Sequence, residues 1–194
     1  MSEAQKASAR ARILDVAARL FTRDGFRATG VDRIIAESGV AKMSLYRHFE
    51  SKNALILAVL DEKHDAWMRW FVEEVEAGLP ATATLAVFAD VLQHWFETES
   101  YRGCTFINVV AETGARDDDS LVRKAMAHKE TLRVYISQVA KRLGHENADA
   151  LAEEAMLCIE GMIVRFQMTG NPEVVAAGRR FLAQLDESCR AVKV

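Results

Sequence analysis

The sequence predicts an all-α fold of about nine helices, and three observations carry that expectation. Apolar residues recur at spacings of three and four along nearly the whole chain. No window alternates apolar and polar residues over a β-branched run, which is the pattern a half-buried strand would need. The 194 residues contain only 2 prolines, and the breaks between periodic stretches fall on Gly and Pro. With 50% hydrophobic residues the chain can bury a core in one or two domains without disulfides.

The first helix is marked by Ile13, Leu14, Ala17, Leu20 and Phe21 on one face, and Gly25 ends it. Phe26 then folds back onto that face. Thr29 is the expected N-cap of a short second helix, with Asp32 standing in for the Glu of a capping box and Ile34 and Ile35 inside. Gly39 ends that helix, and a third runs from Lys42 to Phe49. Ser51 caps a long fourth helix carrying Leu55, Ile56, Val59, Leu60, Trp67, Trp70, Phe71 and Val75, which Gly78-Leu79-Pro80 is expected to interrupt. Further helices are expected near 81–99, 104–115, 118–143, 147–169 and 172–192. Their breaks are Arg102-Gly103, Gly114 to Asp119, Gly144 and Gly170-Asn171-Pro172, where Asn171 can cap and Pro172 can open the last helix. There is no internal repeat or low-complexity tract.

The net charge of -3 hides an asymmetry. Residues 1–60 hold ten Lys or Arg against six Asp or Glu, and residues 61–194 hold fifteen against twenty-two. A basic head on an acidic body suits a chain of which only one end meets a polyanion. The three cysteines, Cys104, Cys158 and Cys189, have no C-x-x-C spacing, which argues against a disulfide framework and against structural zinc. No apolar run is long enough to span a bilayer, and the basic N-terminus leads into no secretory apolar segment. A cytoplasmic protein without a cofactor is expected.

A helix, a tight turn at Gly39 and a second short helix form the helix-turn-helix plan, in which one helix braces and the next enters the major groove. The run Thr29 to Leu55, TGVDRIIAESGVAKMSLYRHFESKNAL, resembles the DNA-binding segment of the tetracycline-repressor (TetR) family. The resemblance rests on Thr29, Ile35-Ala36, Gly39-Val40, Leu45-Tyr46, Phe49, Lys52 and Leu55, and it covers roughly residues 10–57. The chain departs from the family at Met43, where Gly is frequent, and at Arg47-His48, where a His-Tyr pair is common. The resemblance implies a DNA-binding head over residues 1–51 and a helical ligand-binding and dimerisation domain over 52–194. It also implies a regulator, usually a repressor, that acts on a palindromic operator.

Residue chemistry gives each position of the head a task. Thr29 is expected to cap the second helix beside a phosphate. Lys42, Met43 and Ser44 open the recognition helix and are placed to read base edges, Met43 against a thymine methyl. Tyr46, His48 and Lys52 suit phosphate clamping, and Arg47 suits either task. Leu45, Phe49, Ile34 and Val40 are expected in the core.

One head makes too few contacts for tight specific binding, so a homodimer with its heads roughly 34 to 36 Å apart is expected. Two stripes are candidates for the interface: Leu151, Ala155, Cys158, Met162 and Phe166, and Val174, Gly178, Phe181, Leu185 and Cys189. The resemblance implies a four-helix interface from two such helices of each subunit. Trp67, Phe71, Phe88, Trp95, Phe106, Tyr135, Met126, Met156 and Met162 are candidates for lining a chamber for a small apolar or aromatic effector that releases the DNA. The fourth helix is then the lever between chamber and head. Cys104, at a helix start, is a candidate redox sensor or simply a packed thiol.

An enzyme is the first alternative, since His64, Asp65, His94, Glu97, Glu112 and His128 offer acid-base and ligand types. Their spacing matches no catalytic motif, and no phosphate-cradling Gly loop occurs. A helical adaptor that binds proteins through its apolar stripes is the second alternative. Operator sequence, effector, regulated genes and the direction of the effector's action are not encoded in any motif.

Overall fold

The structure is a computed structural model, and it describes residues 8–113 and 119–191, apart from the side chains of residues 119 and 189–191. Among the described residues there are nine helices and no strand, as the periodicity predicts. They are α1 Ala9–Asp24, α2 Val31–Ser38, α3 Lys42–His48, α4 Lys52–Thr82, α5 Val87–Phe96, α6 Thr105–Thr113, α7 Asp119–Arg142, α8 Ala148–Thr169 and α9 Glu173–Ala191. No helix among these residues is long and apolar enough to cross a membrane. The described residues gather into two compact units, one from 1–65 with 105–126 and one from 66–104 with 127–194.

In the first unit, Ser8 opens α1 by accepting a hydrogen bond from the Ala11 N–H at 3.2 Å. The helix buries Ile13, Leu14, Val16, Ala17, Leu20 and Phe21 along one face. It stops at Gly25, whose φ of 87° suits a residue without Cβ and whose N–H reaches the Phe21 carbonyl at 3.1 Å. Phe26 turns back as expected and stacks on Phe21 with ring centroids 5.1 Å apart.

Thr29 corrects the expectation. Its side chain is fully buried, and its hydroxyl donates to the Gly25 carbonyl at 2.7 Å, so it closes the end of α1 instead of capping α2. Gly30 is the N-cap of α2 and makes no side-chain cap bond. The physical reason is the tight turn after Gly25: it leaves the Gly25 carbonyl without a helical partner, directly beside Thr29.

Gly39, left-handed at φ 63° and ψ 29°, ends α2 and turns the chain into α3. Leu45 of α3 and Phe49 just beyond it are buried, as are Ile34 and Val40, all as predicted. Burying each such side chain contributes about 2 kcal/mol. Ser51 caps α4, accepting from the Ala54 N–H at 3.0 Å, and Leu55, Ile56, Val59 and Leu60 follow into the core. From α6 the same unit takes buried Phe106 and Val109.

The second unit is built on the later part of α4 with α5, most of α7, α8 and α9. Here the break at Pro80 is overturned, because α4 runs through Pro80 to Thr82. A Pro deep in a helix costs about 3 kcal/mol or more, but this one lies in the last turn, and the Ala83 N–H still closes onto the Leu79 carbonyl at 2.8 Å. The helix ends instead at Ala83, which takes a φ of 49°. Gly78 stays helical with a packing purpose: a Cβ there would stand 3.1 Å from Val87 Cγ2. Residues 83–86 form a turn, so α5 is shorter than the expected 81–99.

At the other end of this unit the expected punctuation holds. Gly170 ends α8 in a left-handed conformation, and Asn171 Oδ1 accepts from the Glu173 N–H at 2.9 Å to open α9. A buried pair, His145 Nε2 with Asp186 Oδ1 at 2.9 Å, joins the turn after α7 to α9.

Candidate nucleic-acid interface

The α2–Gly39–α3 unit divides α3 into two faces. Leu45 is 1% exposed, whereas Lys42, Met43, Tyr46, Arg47 and His48 all project outward. Ser44 is half-buried. Met43 is 75% exposed, an apolar side chain that the fold of the chain itself leaves without cover. Lys42 Nζ stands 3.5 Å from Asp32 Oδ1, a solvent-washed pair that holds the ammonium weakly. The resulting surface presents a cation, a thioether, a phenol, a guanidinium and an imidazole on two turns of helix. This donor-rich chemistry matches phosphate oxygens and base edges.

Behind α3 the charged residues of α1 and α2 brace one another. Arg19 and Arg33 both reach the Glu37 carboxylate, at 2.9 and 3.0 Å, and Arg33 also reaches Asp24 at 2.9 Å. Hydrogen bonds from Arg19 and Arg33 hold the Glu37 carboxyl below its ordinary value. Arg10 lies over the ring of Phe49 at 5.5 Å.

Two predicted contact residues serve the fold of the head. The Thr29 hydroxyl faces inward, as described. Lys52 is half-buried at the start of α4, and its ammonium donates to the Arg27 carbonyl at 3.4 Å. Burial pushes its pKa down, partly offset by the nearby Glu112 carboxylate. Sequence reading missed Glu112 in this setting: its carboxylate accepts from the Phe26 N–H at 2.6 Å and from the Arg27 N–H at 3.0 Å. The partners are 86 and 85 residues apart, so no local pattern announces them.

The predicted chamber residues gather only in part. In the second unit Trp67 stacks on Phe71 at 4.7 Å, meets Trp95 edge-on at 5.4 Å and meets His128 at 5.5 Å. Phe71 continues the cluster to Phe88 and Tyr135, at 6.0 and 6.2 Å. Met156 is buried in the same unit. Phe106 belongs to the first unit, where it faces His64, and Met126 is 66% exposed. The Tyr135 hydroxyl donates to Glu76, which also takes two bonds from Arg142 at 2.7 Å.

The predicted dimer stripes are corrected in part: several members face inward, and Phe181 is exposed. Leu151, Ala155, Met162, Val174 and Gly178 face inward within the subunit, where a Cβ on Gly178 would collide with the Met162 side chain. Phe166 stacks on Phe96 at 4.5 Å, Leu185 is half-buried, and Cys158 is half-buried with its thiol pushed up to about 11 by burial. Cys189 lies outside the described side chains. The outward apolar stripe of α8 is instead Leu157, Gly161, Val164 and Met168, exposed at 76% for Leu157 and 78% for Met168. On α9, among the described side chains, Phe181 is the large apolar one facing out, at 47% exposed. The α8 helix is apolar on two faces, so its periodicity alone does not say which one the subunit consumes.

The acid-base residues weighed for an enzyme are dispersed. His94 pairs with Glu74 at 2.9 Å and Glu97 with Gln93 at 2.8 Å, His128 is buried against Trp67, and Glu112 holds the Phe26 turn. Among the described residues no three His, Cys, Asp or Glu are grouped to hold a metal. Cys104 is buried at the start of α6.

Comparison with known proteins agrees with the geometry of the head. Residues 13–59 match the family described as bacterial regulatory proteins, tetR family. Over 156 residues the chain is 30% identical to the HTH-type transcriptional regulator LmrA of Bacillus subtilis, covering 79% of this chain and 81% of that protein. It is 29% identical over 138 residues to the HTH-type transcriptional repressor KstR2 of Rhodococcus jostii, covering 58% of this chain and 68% of that protein. Among solved structures, SCO4454, a TetR-family transcriptional regulator from Streptomyces coelicolor, superposes with a TM-score of 0.78 at 25% identity, covering 93% of this chain and 95% of that one. With an outward-facing α3, a matching family segment and relatives alike over most of their length, the chain belongs to the TetR family of DNA-binding transcriptional regulators, which are not enzymes.

Proposed function

We propose that the chain is a cytoplasmic repressor that binds a palindromic operator as a homodimer and is released by a small apolar or aromatic effector. The observation that carries the reading is the outward face of α3, with Lys42, Met43, Tyr46, Arg47 and His48 exposed on a helix anchored by Leu45 and Phe49. In this reading Lys42, Met43 and Ser44 read bases, while Tyr46, Arg47 and His48 grip phosphates. Thr29 and Lys52 hold the turn that carries α2, whose first turn offers uncapped N–H groups to a phosphate.

The outward stripe of Leu157, Gly161, Val164 and Met168 with Phe181 is the proposed dimer face, since exposed apolar side chains at one helical face favour burial against a second copy. Trp67, Phe71, Trp95 and Tyr135 are the proposed effector site. Among the described residues the buried Trp67 indole N–H has no acceptor, so an aromatic effector carrying an oxygen or nitrogen acceptor would satisfy it. The repressor mode is supported by KstR2, a repressor by name, among the relatives.

Selection of bound fragments from the source genome tests the reading. It should enrich an inverted repeat that one dimer protects over two half-sites roughly 34 to 36 Å apart. Enrichment of no sequence, or protection of a single half-site by a monomer, would contradict it.

A further inference from the structure

The loop between α1 and α2 is held by charges from two distant helices, all within the first unit. Glu112 Oε2, from α6, accepts from both the Phe26 and the Arg27 N–H, at 2.6 and 3.0 Å. Lys52, from α4, donates to the carbonyl of the same Arg27 at 3.4 Å. Residue 27 is therefore clamped at its N–H by an anion and at its carbonyl by a cation. Its own side chain is left exposed.

The site is shaped for the carboxylate. A Cβ on Gly25 would lie 2.8 Å from Glu112 Oε2, so any side chain there would push the carboxylate off its two amides. The positive φ of Gly25 disfavours such a side chain independently. Successive backbone N–H groups converging on one oxygen form an anion-binding concavity, and hydrogen bonds to an ionised group are about twice as strong as neutral ones. Three other contacts fix the same loop: the Gly25 N–H to Phe21, the Thr29 hydroxyl to Gly25, and the Phe26 ring on Phe21. Those three come from α1 or from the loop itself. Glu112 and Lys52 tie the loop to later parts of the chain.

We propose that Glu112 is a positioning residue for DNA binding: by clamping the Phe26–Arg27 peptide it sets the entry of α2, and through the rigid Gly39 turn the presentation of α3. The inference rests on the operator-binding reading above. Loss of the clamp frees the loop to sample other angles, and α3 then meets the groove in the proper pose for only part of the time. Apparent affinity for the operator falls by the fraction of time lost.

The test compares the full chain with Glu112→Ala and Glu112→Gln. Amide hydrogen exchange at Phe26 and Arg27 is followed by NMR, alongside titration of a genome-selected duplex and a scrambled duplex. In Glu112→Ala the two amides should exchange at least about tenfold faster, and affinity for the selected duplex should fall about fivefold, with helix content and melting behaviour kept. Glu112→Gln, which retains a neutral acceptor, should fall between the wild type and Glu112→Ala on both readouts. Unchanged exchange at Phe26 and Arg27 would overturn the clamp. Faster exchange with wild-type affinity for the selected duplex would overturn the positioning role. If Glu112→Ala fails to fold, Glu112→Gln decides on the same two readouts. A wild-type chain that prefers no duplex sequence would contradict the regulator reading itself, an outcome distinct from a selective wild type and an equally selective variant.

Discussion

Tyr46 illustrates how much of this account turns on single side chains. It sits one position after buried Leu45 and is 42% exposed, so truncating it removes little from the core. Tyr46→Ala should therefore leave melting unchanged while weakening the selected and the scrambled duplex by a similar factor, as expected for a phosphate contact. Loss of selectivity without loss of scrambled binding would show that Tyr46 reads a base. Glu76 tests the second unit at the same scale. Hydrogen bonds from Arg142, and then from Tyr135, hold its carboxyl below the ordinary value. A lowered folded-state pKa means a contribution that is complete above the ordinary carboxylate range and is lost as pH falls through the lowered value. Glu76→Gln should lower Tm by about 2 °C at neutral pH, a modest effect because the pair is largely solvated, and the gap should close as pH falls below the ordinary carboxylate range. A gap of constant size from neutral to acid would show that the ionised carboxylate contributes nothing.

Helices and their punctuation were largely legible in the sequence, because glycines such as Gly39 and Gly170 and caps such as Ser51 and Asn171 act within a few residues. Features that depend on a distant partner were not. Thr29 reads as an N-cap until the Gly25 carbonyl is found waiting for its hydroxyl. Pro80 reads as a break until the helix is seen to give up only the bond of Pro80 itself, with the Ala83 N–H still closing onto the Leu79 carbonyl. Exposure of Lys42, Met43, Tyr46, Arg47 and His48 followed from the positions of Leu45 and Phe49, so the outward face of α3 was readable. Stripe assignment on α8 failed for a different reason: the helix is apolar on two sides, and only packing shows that Leu151, Ala155 and Met162 are used internally. The exposed stripe yields its own prediction. Leu157→Glu combined with Phe181→Glu should convert the chain to monomers in sedimentation while the subunit stays folded, and should weaken operator binding. A double variant that still sediments as a dimer would place the interface elsewhere.

At the scale of the whole molecule, charge is divided along the chain. The basic excess of residues 1–60 lies along the stretch that forms α1, α2 and α3, whereas the acidic stretch 61–194 carries the aromatic cluster and the exposed stripe of α8. Attraction to the polyanion is thus concentrated on the stretch that holds the proposed groove-reading residues, and binding should weaken steeply with salt. The most direct measurement of the central claim titrates a genome-selected operator and a scrambled duplex with the wild type and with a chain carrying Lys42→Ala, Met43→Ala and Ser44→Ala. The wild type should prefer the operator by about a thousandfold or more at physiological salt, and the triple variant should lose most of that preference while melting as before. Retention of wild-type preference by the triple variant would contradict the assignment of α3 as the element that reads DNA.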